Sequence, residues 1–193
     1  MTTPANAPAD APRYYQKATA NTRRLLDTIT ADQWQVPTPC SEWNVKQLLN
    51  HMVSSLRNVV SIMSDRGPQN FGDVLGNDPI AAFDDACTAA NAAFGKPGAM
   101  EEVKQTRRGS QLAGQYALGQ VQEMLVHGWD LAVALGKDTA MDPELLEISY
   151  ARALSNREQL RAGGSAAWGE SEAEASDDAD TQTKYLAILG RTA

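Results

Sequence analysis

Apolar residues recur every three or four positions along most of the chain, the spacing that keeps one side of a helix out of water. Tyr14, Ala18, Leu25 and Ile29 predict a first helix over 12–29. Residues 1–12 hold three prolines among Ala, Thr, Asn and Asp, a composition that buries no face, so a disordered tail is expected there. A loop broken by Pro37 and Pro39 runs from Trp34 to Trp43. Asn44 and Gln47 then form a variant of the capping box, opening a second helix whose stripe Leu48, Leu49, Met52, Val53, Leu56, Val60 and Met63 reaches about Arg66. Asp78-Pro79 reads as a cap and first turn; Ile80, Phe83, Cys87, Ala90 and Phe94 line the third helix, and Gly95 stops it. The stretch 96–110 is a charged, Gly-containing connection with a short extended piece near Val103. A fourth helix is expected from Gln111 to Leu135, capped by Gly136. A fifth opens at Asp142-Pro143 and continues through Leu160 until Gly163-Gly164, and a short closing helix covers 183–189. Five main helical segments without a convincing alternating strand predict an all-α bundle, a single domain over 13–193. Within it, 163–181 carries Glu170, Glu172, Glu174, Asp177, Asp178 and Asp180 and no basic residue. Such a run is ordinarily solvated; the functional alternative is a lid anchored by Trp168.

Composition narrows the partners. A chain of 193 residues suits one domain, and a net charge of −7 with pI near 4.8 argues against a basic face for nucleic acid. No run approaches the roughly 18 apolar residues of a membrane span, and no basic-then-apolar leader opens the chain, so a cytoplasmic protein is expected, as monomer or homodimer. Cys40 and Cys87 make no disulfide framework and are expected reduced. The remaining partner class is a small molecule.

The chain has two histidines, His51 and His127. Glu123, His127 and Asp130 project from one face of the fourth helix, and His51 lies in the second turn of the second. Two imidazoles and a carboxylate can hold a divalent ion and leave a fourth position open, the pattern of catalytic rather than structural zinc. A carboxylate on the apolar stripe also needs a positive partner, which a metal supplies. From spacing alone this reading and that of core histidines each satisfied by one hydrogen bond stand side by side. Cys40 tempts as nucleophile or fourth ligand, but a small buried thiol beneath Trp43 accounts for it better, and Cys87 reads as core. Trp43 and Trp129 read as core or pocket wall. Arg107 and Arg108 would suit an acidic substrate, although adjacent surface arginines ordinarily have no specific duty.

Two blocks carry a family resemblance. Thr38-Pro39-Cys40-Ser41-Glu42-Trp43-Asn44-Val45 with Leu48-Leu49-Asn50-His51, and Glu123-Met124-Leu125-Val126-His127-Gly128-Trp129-Asp130-Leu131-Ala132 with Gly136, resemble motifs of the actinobacterial branch of the DinB-like superfamily. That branch is related to the N-terminal domain of mycothiol-dependent maleylpyruvate isomerase, and Leu189-Gly190-Arg191 resembles its ending. The resemblance implies an up-and-down four-helix bundle with a long connection and extra helices. It implies His51, Glu123 and His127 as metal ligands, Zn²⁺ first with Ni²⁺ or Fe²⁺ as alternatives, and mycothiol as cosubstrate. Such a site carries formal charge near +1, which a thiolate neutralises, and a coordinated thiol loses its proton near neutral pH. Asp130 would orient an imidazole or accept a proton. The expected function is a metal-dependent thiol transferase or isomerase acting on a small electrophilic metabolite. The alternatives are metal-activated water in a hydrolase, a non-heme iron enzyme, or a non-enzymatic metal- or ligand-binding protein. The chain departs from the isomerase in ending before a further C-terminal domain, and in its acidic 170–180 segment.

Overall fold

The computed structural model describes residues 7–41, 43–162 and 172–192; Trp168 and Glu170 lie outside them. Apolar stripes fold into α1 (Ala7–Leu26), α2 (Val45–Met63), α3 (Pro79–Phe94), α4 (Ala113–Leu135), α5 (Pro143–Ser155), α6 (Arg157–Ala162) and α7 (Thr181–Ile188). Side chains that satisfy the first free N–H groups fix where several begin. Asn44 and Gln47 close a full capping box on α2, while Asp78, Asp142 and Asp180 accept from the first turns of α3, α5 and α7. Gly136, at φ 64°, ends α4 in the left-handed conformation that costs a glycine least.

α1 lies along α4 and α2 along α3, with α5 set against α4 and α7. α4 sits in the middle. Its residues Met124, Leu125, Val126 and His127 are consecutive and all buried, so through this stretch the helix is enclosed on every side. Leu48, Leu49, Met52 and Leu56 of α2 and Phe83 and Phe94 of α3 complete the core between the four long helices. The protein is all-α, and no described helix is long and apolar enough to cross a membrane.

The structure departs from expectation in three places. α1 begins at Ala7, inside the segment expected to be disordered, because Ala11, Tyr14 and Tyr15 are buried and hold that end down. Pro12 has no N–H for the Pro8 carbonyl, and Pro8 rests on Gly114, where an added Cβ would stand 2.7 Å from that oxygen. The connection after α3 contains an antiparallel hairpin, β1 (Val103–Thr106) with β2 (Gly109–Leu112), turning at Arg107-Arg108. Each strand has only four residues, too few for alternation to declare itself, yet Lys104 and Thr106 do face inward. The fifth helix breaks at Asn156, so its last part is the separate α6. The acidic segment, as far as it is described, is largely solvated as expected, with Glu174, Asp177, Asp178 and Asp180 exposed, and is tied down at its start, where Glu172 pairs with Arg157 and the Ala173 N–H donates to the Ala187 carbonyl at 2.9 Å.

Candidate metal centre

Val45, Leu48 and Leu49 anchor the start of α2 in the core, which carries His51 toward α4 at the edge of that buried stripe. Four residues apart on α4, Glu123 and His127 meet it. Glu123 Oε1 lies 2.6 Å from His51 Nε2 and 3.5 Å from His127 Nε2. One ligand atom from each of the three falls within 4.8 Å of the others. Trp43, brought in by the turn before α2, stacks on the His51 ring at 4.5 Å between centroids and 29° between planes. That stacking fixes the ring plane.

Behind His127 lies a second layer. Asp130, one turn further along α4 and 0 % exposed, places Oδ2 2.9 Å from His127 Nδ1. The same carboxylate accepts from Arg191 at 2.9 and 3.2 Å, and the Cys40 thiol donates to it at 3.1 Å. Arg191 Nη2 also reaches Cys40 Sγ at 3.1 Å. Cys40, His127 and Asp130 thus form another compact donor cluster, but a guanidinium already supplies its positive charge. A cation added there would face Arg191 directly. Because Asp130 occupies Nδ1, His127 presents Nε2 toward Glu123 and His51, the arrangement by which carboxylates aim metal-binding imidazoles.

Electrostatics agree with the geometry. Burial alone would raise the Glu123 carboxyl, but the hydrogen bond and charge of His127, then those of His51, outweigh it and hold Glu123 well below its usual range. Burial alone would lower His127; Asp130, Cys40 and Glu123 together hold it well above the ordinary imidazole value. A largely buried carboxylate between two imidazoles draws a positive charge to itself, a proton on His127 in the metal-free protein and a cation in its place where one binds. The composition of the donor set, N, N and O with carboxylate support behind, fits a divalent ion of the zinc type.

A cavity of about 410 Å³ opens from His51 and Glu123 along α2 and α4 to the hairpin turn, lined also by Asn58, Arg107, Arg108 and Arg152. A second opening, about 450 Å³, reaches His51 from the other side past Trp43 and Phe71. None of residues 172–180 lines either, so the described part of the acidic segment is no lid over this site. Trp129, expected as pocket wall, faces a separate cavity of about 70 Å³ between α1 and α4. Cys40 is buried as expected, within hydrogen-bonding reach of Asp130 and Arg191. The site also recruits Arg152, a lone arginine that the sequence pattern does not single out, and Arg191, which the sequence marks only as part of a terminal motif with no role attached; the fold brings both inward.

Known proteins are similar to this chain in sequence and in fold. A chain of Mycobacterium tuberculosis described as an uncharacterized protein, found in two strains, is 35 % identical over 144 residues, covering 72 % of this chain and 76 % of the relative. A crystal structure of a histidine-to-alanine variant of mycothiol-dependent maleylpyruvate isomerase superposes with a TM-score of 0.64, covering 86 % of this chain and 76 % of that one; at 12 % identity it shows the shared fold. The family model for the mycothiol maleylpyruvate isomerase N-terminal domain matches residues 15–132, the span from α1 through both motif blocks to the Asp130 turn. The chain therefore belongs to the mycothiol maleylpyruvate isomerase N-terminal domain family.

Proposed function

We propose that this protein is an enzyme that activates a low-molecular-weight thiol, mycothiol in keeping with its family, for transfer to a small electrophile, using a divalent ion held by His51, Glu123 and His127. The observation that carries the reading is the convergence of these three donors, two of which, His51 and Glu123, line the cavity of about 410 Å³. When bound, the ion lowers the pKa of a coordinating thiol, so that a thiolate is present at neutral pH.

The chain's own groups do the rest. Asp130 holds the His127 ring through Nδ1, so Nε2 keeps its aim as the site fills. Trp43 and Phe71 wall the opening beside His51, and Ser54 and Ser55 of α2 offer hydroxyls along the path to the hairpin. In the transfer, the thiolate sulfur forms a bond to the electrophilic carbon, and the electron pair it displaces leaves with a departing group or takes up a proton on the neighbouring atom. Arg191 stabilises the ionised form of Asp130, keeping that carboxylate available as the acceptor that orients His127.

The test is metal analysis of protein purified without added metal, followed by thiol titration of the Co²⁺-substituted form. About one ion per chain, a sulfur-to-metal charge-transfer band on adding mycothiol, and the same band in Cys40→Ser are expected. A metal-loaded protein whose spectrum ignores the thiol would overturn thiol activation and favour activated water. Full metal occupancy in His127→Ala would overturn the ligand assignment.

A further inference from the structure

The two openings that reach His51 share three lining residues, His51, Ser54 and Phe71. The first two belong to α2, and only Phe71 comes from another segment, the loop between α2 and α3. Beyond these the linings part. Trp43, Asp73 and Leu75 border only the opening of about 450 Å³, whereas Tyr116, Gln120 and Glu123 border only the cavity of about 410 Å³. Phe71 therefore stands where the two spaces meet.

Loops ordinarily move more than the helices they join, but this one is fastened on both sides of Phe71. Before it, Ser61 Oγ donates to the Gly67 carbonyl at 2.8 Å, and Asn58 takes both backbone groups of Gln69, accepting from its N–H at 2.8 Å and donating to its carbonyl at 3.1 Å. After it, Asn50 donates to the Gly72 carbonyl at 3.1 Å and accepts from the Val74 N–H at 2.9 Å, while Arg57 donates to the Val74 carbonyl at 3.2 Å. From the hairpin turn, Arg107 donates to Asn70 Oδ1 at 2.7 Å. Asn50, Arg57 and Ser61 fall within about 40° of one another around α2, so one side of that helix is given over to the loop backbone. A side-chain amide that satisfies a backbone N–H and a carbonyl together leaves the loop little freedom. Val74 and Leu75 are buried and anchor its end. The ring is thus held in place by polar groups on either side of it.

We infer that Phe71 is a partition: it divides the approach to the donors into two entrances, sets the width of each, and so determines what reaches His51 from either side. On the proposed function, one reactant arrives by each entrance, and thiol and electrophile meet at the centre without one leaving before the other enters. The inference rests on that reading only for what passes. The entrances themselves are tested without metal or thiol.

The experiment measures the rate at which diethyl pyrocarbonate acylates His51 in tag-free, metal-free protein, by peptide mass spectrometry. His127, 0 % exposed, should not react and so reports an intact fold. In a Cys87→Ser background, Lys46→Cys or Ser55→Cys is labelled with a pyrene maleimide, plugging the Trp43 side or the α4 side. Two parallel entrances predict a fall of about twofold for either plug and of more than about tenfold for both. Phe71→Ala should raise the rate about threefold and make either single plug ineffective, and Phe71→Trp should lower it about threefold. A single plug that abolishes the reaction, or two plugs that leave it unchanged, would overturn the two entrances. Rates indifferent to the size of the side chain at 71 would overturn the partition. Should His127 react in Phe71→Ala, Phe71→Leu takes its place, with a smaller rise expected and an unchanged rate overturning the proposal. Two entrances in a protein that takes no zinc would keep the partition and overturn thiol activation by a metal.

Discussion

Replacing Asp130 by Asn separates two jobs that this carboxylate performs at once. It receives His127 Nδ1 at 2.9 Å and Arg191 at 2.9 and 3.2 Å, with both Asp130 and Arg191 buried. The amide keeps one oxygen, but its nitrogen must face donors, and the Arg191 charge stays in the interior without its partner. Removing one member of a buried pair costs on the order of 3–5 kcal/mol, a large share of the roughly 5–15 kcal/mol that holds a domain folded. Losing the acceptor that aims a metal-binding imidazole costs about 10- to 100-fold in metal affinity, near 1.4 to 2.8 kcal/mol. Pairing the change with Arg191→Met removes both charges and should return most of the stability, because the stranded cation is gone. The affinity should not return, because His127 still lacks its carboxylate. Chemical denaturation of the metal-free proteins measures the first quantity, and competition with a chromophoric zinc chelator the second. A double variant that binds zinc as tightly as the parent would refute the orienting role of Asp130.

Three further outcomes follow from described contacts. Gly114→Ala should destabilise by about 1–2 kcal/mol, since its Cβ would press on Pro8 at 2.7–3.1 Å, whereas Gly128→Ala meets only Thr22 Oγ1 at 3.3 Å and should be near neutral; thermal melts that rank them the other way would refute the α1–α4 packing argument. Glu144 is held to about 2 by Arg13 and then Lys17, a lowered folded value, so its contribution is present above the ordinary 4.5 and lost as pH falls toward 2. Glu144→Gln should therefore differ slightly from the parent at neutral pH and low salt and converge with it in acid or high salt; a gap that widens in acid would reverse the sign. Chelating the metal from protein kept with free metal at a hundredfold excess over the dissociation constant should remove about 2.7 kcal/mol, a fall of roughly 5–10 °C in Tm, and His127→Ala should show almost no such change on chelation.

Much of this arrangement is readable along the chain, where the physics is local. Asn44 with Gln47, Asp78-Pro79, Asp142-Pro143 and Gly136 mark helix ends because capping involves neighbours within four residues. Glu123 and His127 face one way because helix geometry requires it. The beginning of α1 was hidden by its prolines, whose cost is offset by packing on Gly114, more than a hundred residues away. The hairpin turn Arg107-Arg108 lacks the Asn-Gly type of signal, and its glycine, at φ 93°, comes just after it. Arg191 stands in the Leu189-Gly190-Arg191 ending with no role attached to it; only tertiary contact shows it against Asp130 and Cys40. Arg152 is hidden in the same way, since a lone arginine on an amphipathic helix ordinarily faces water.

The donors and their supports come from places far apart on the chain: 72 positions separate His51 from Glu123, 61 separate Asp130 from Arg191, and 151 separate Cys40 from Arg191. No local stretch can assemble such a centre, and closing loops of that length precedes any reward from the contacts they make. A nascent or partly unravelled chain offers an ion little more than the Glu123 and His127 pair on one helix. On the proposed reading, tight metal capture would report completed topology, and its free energy would add to that of folding.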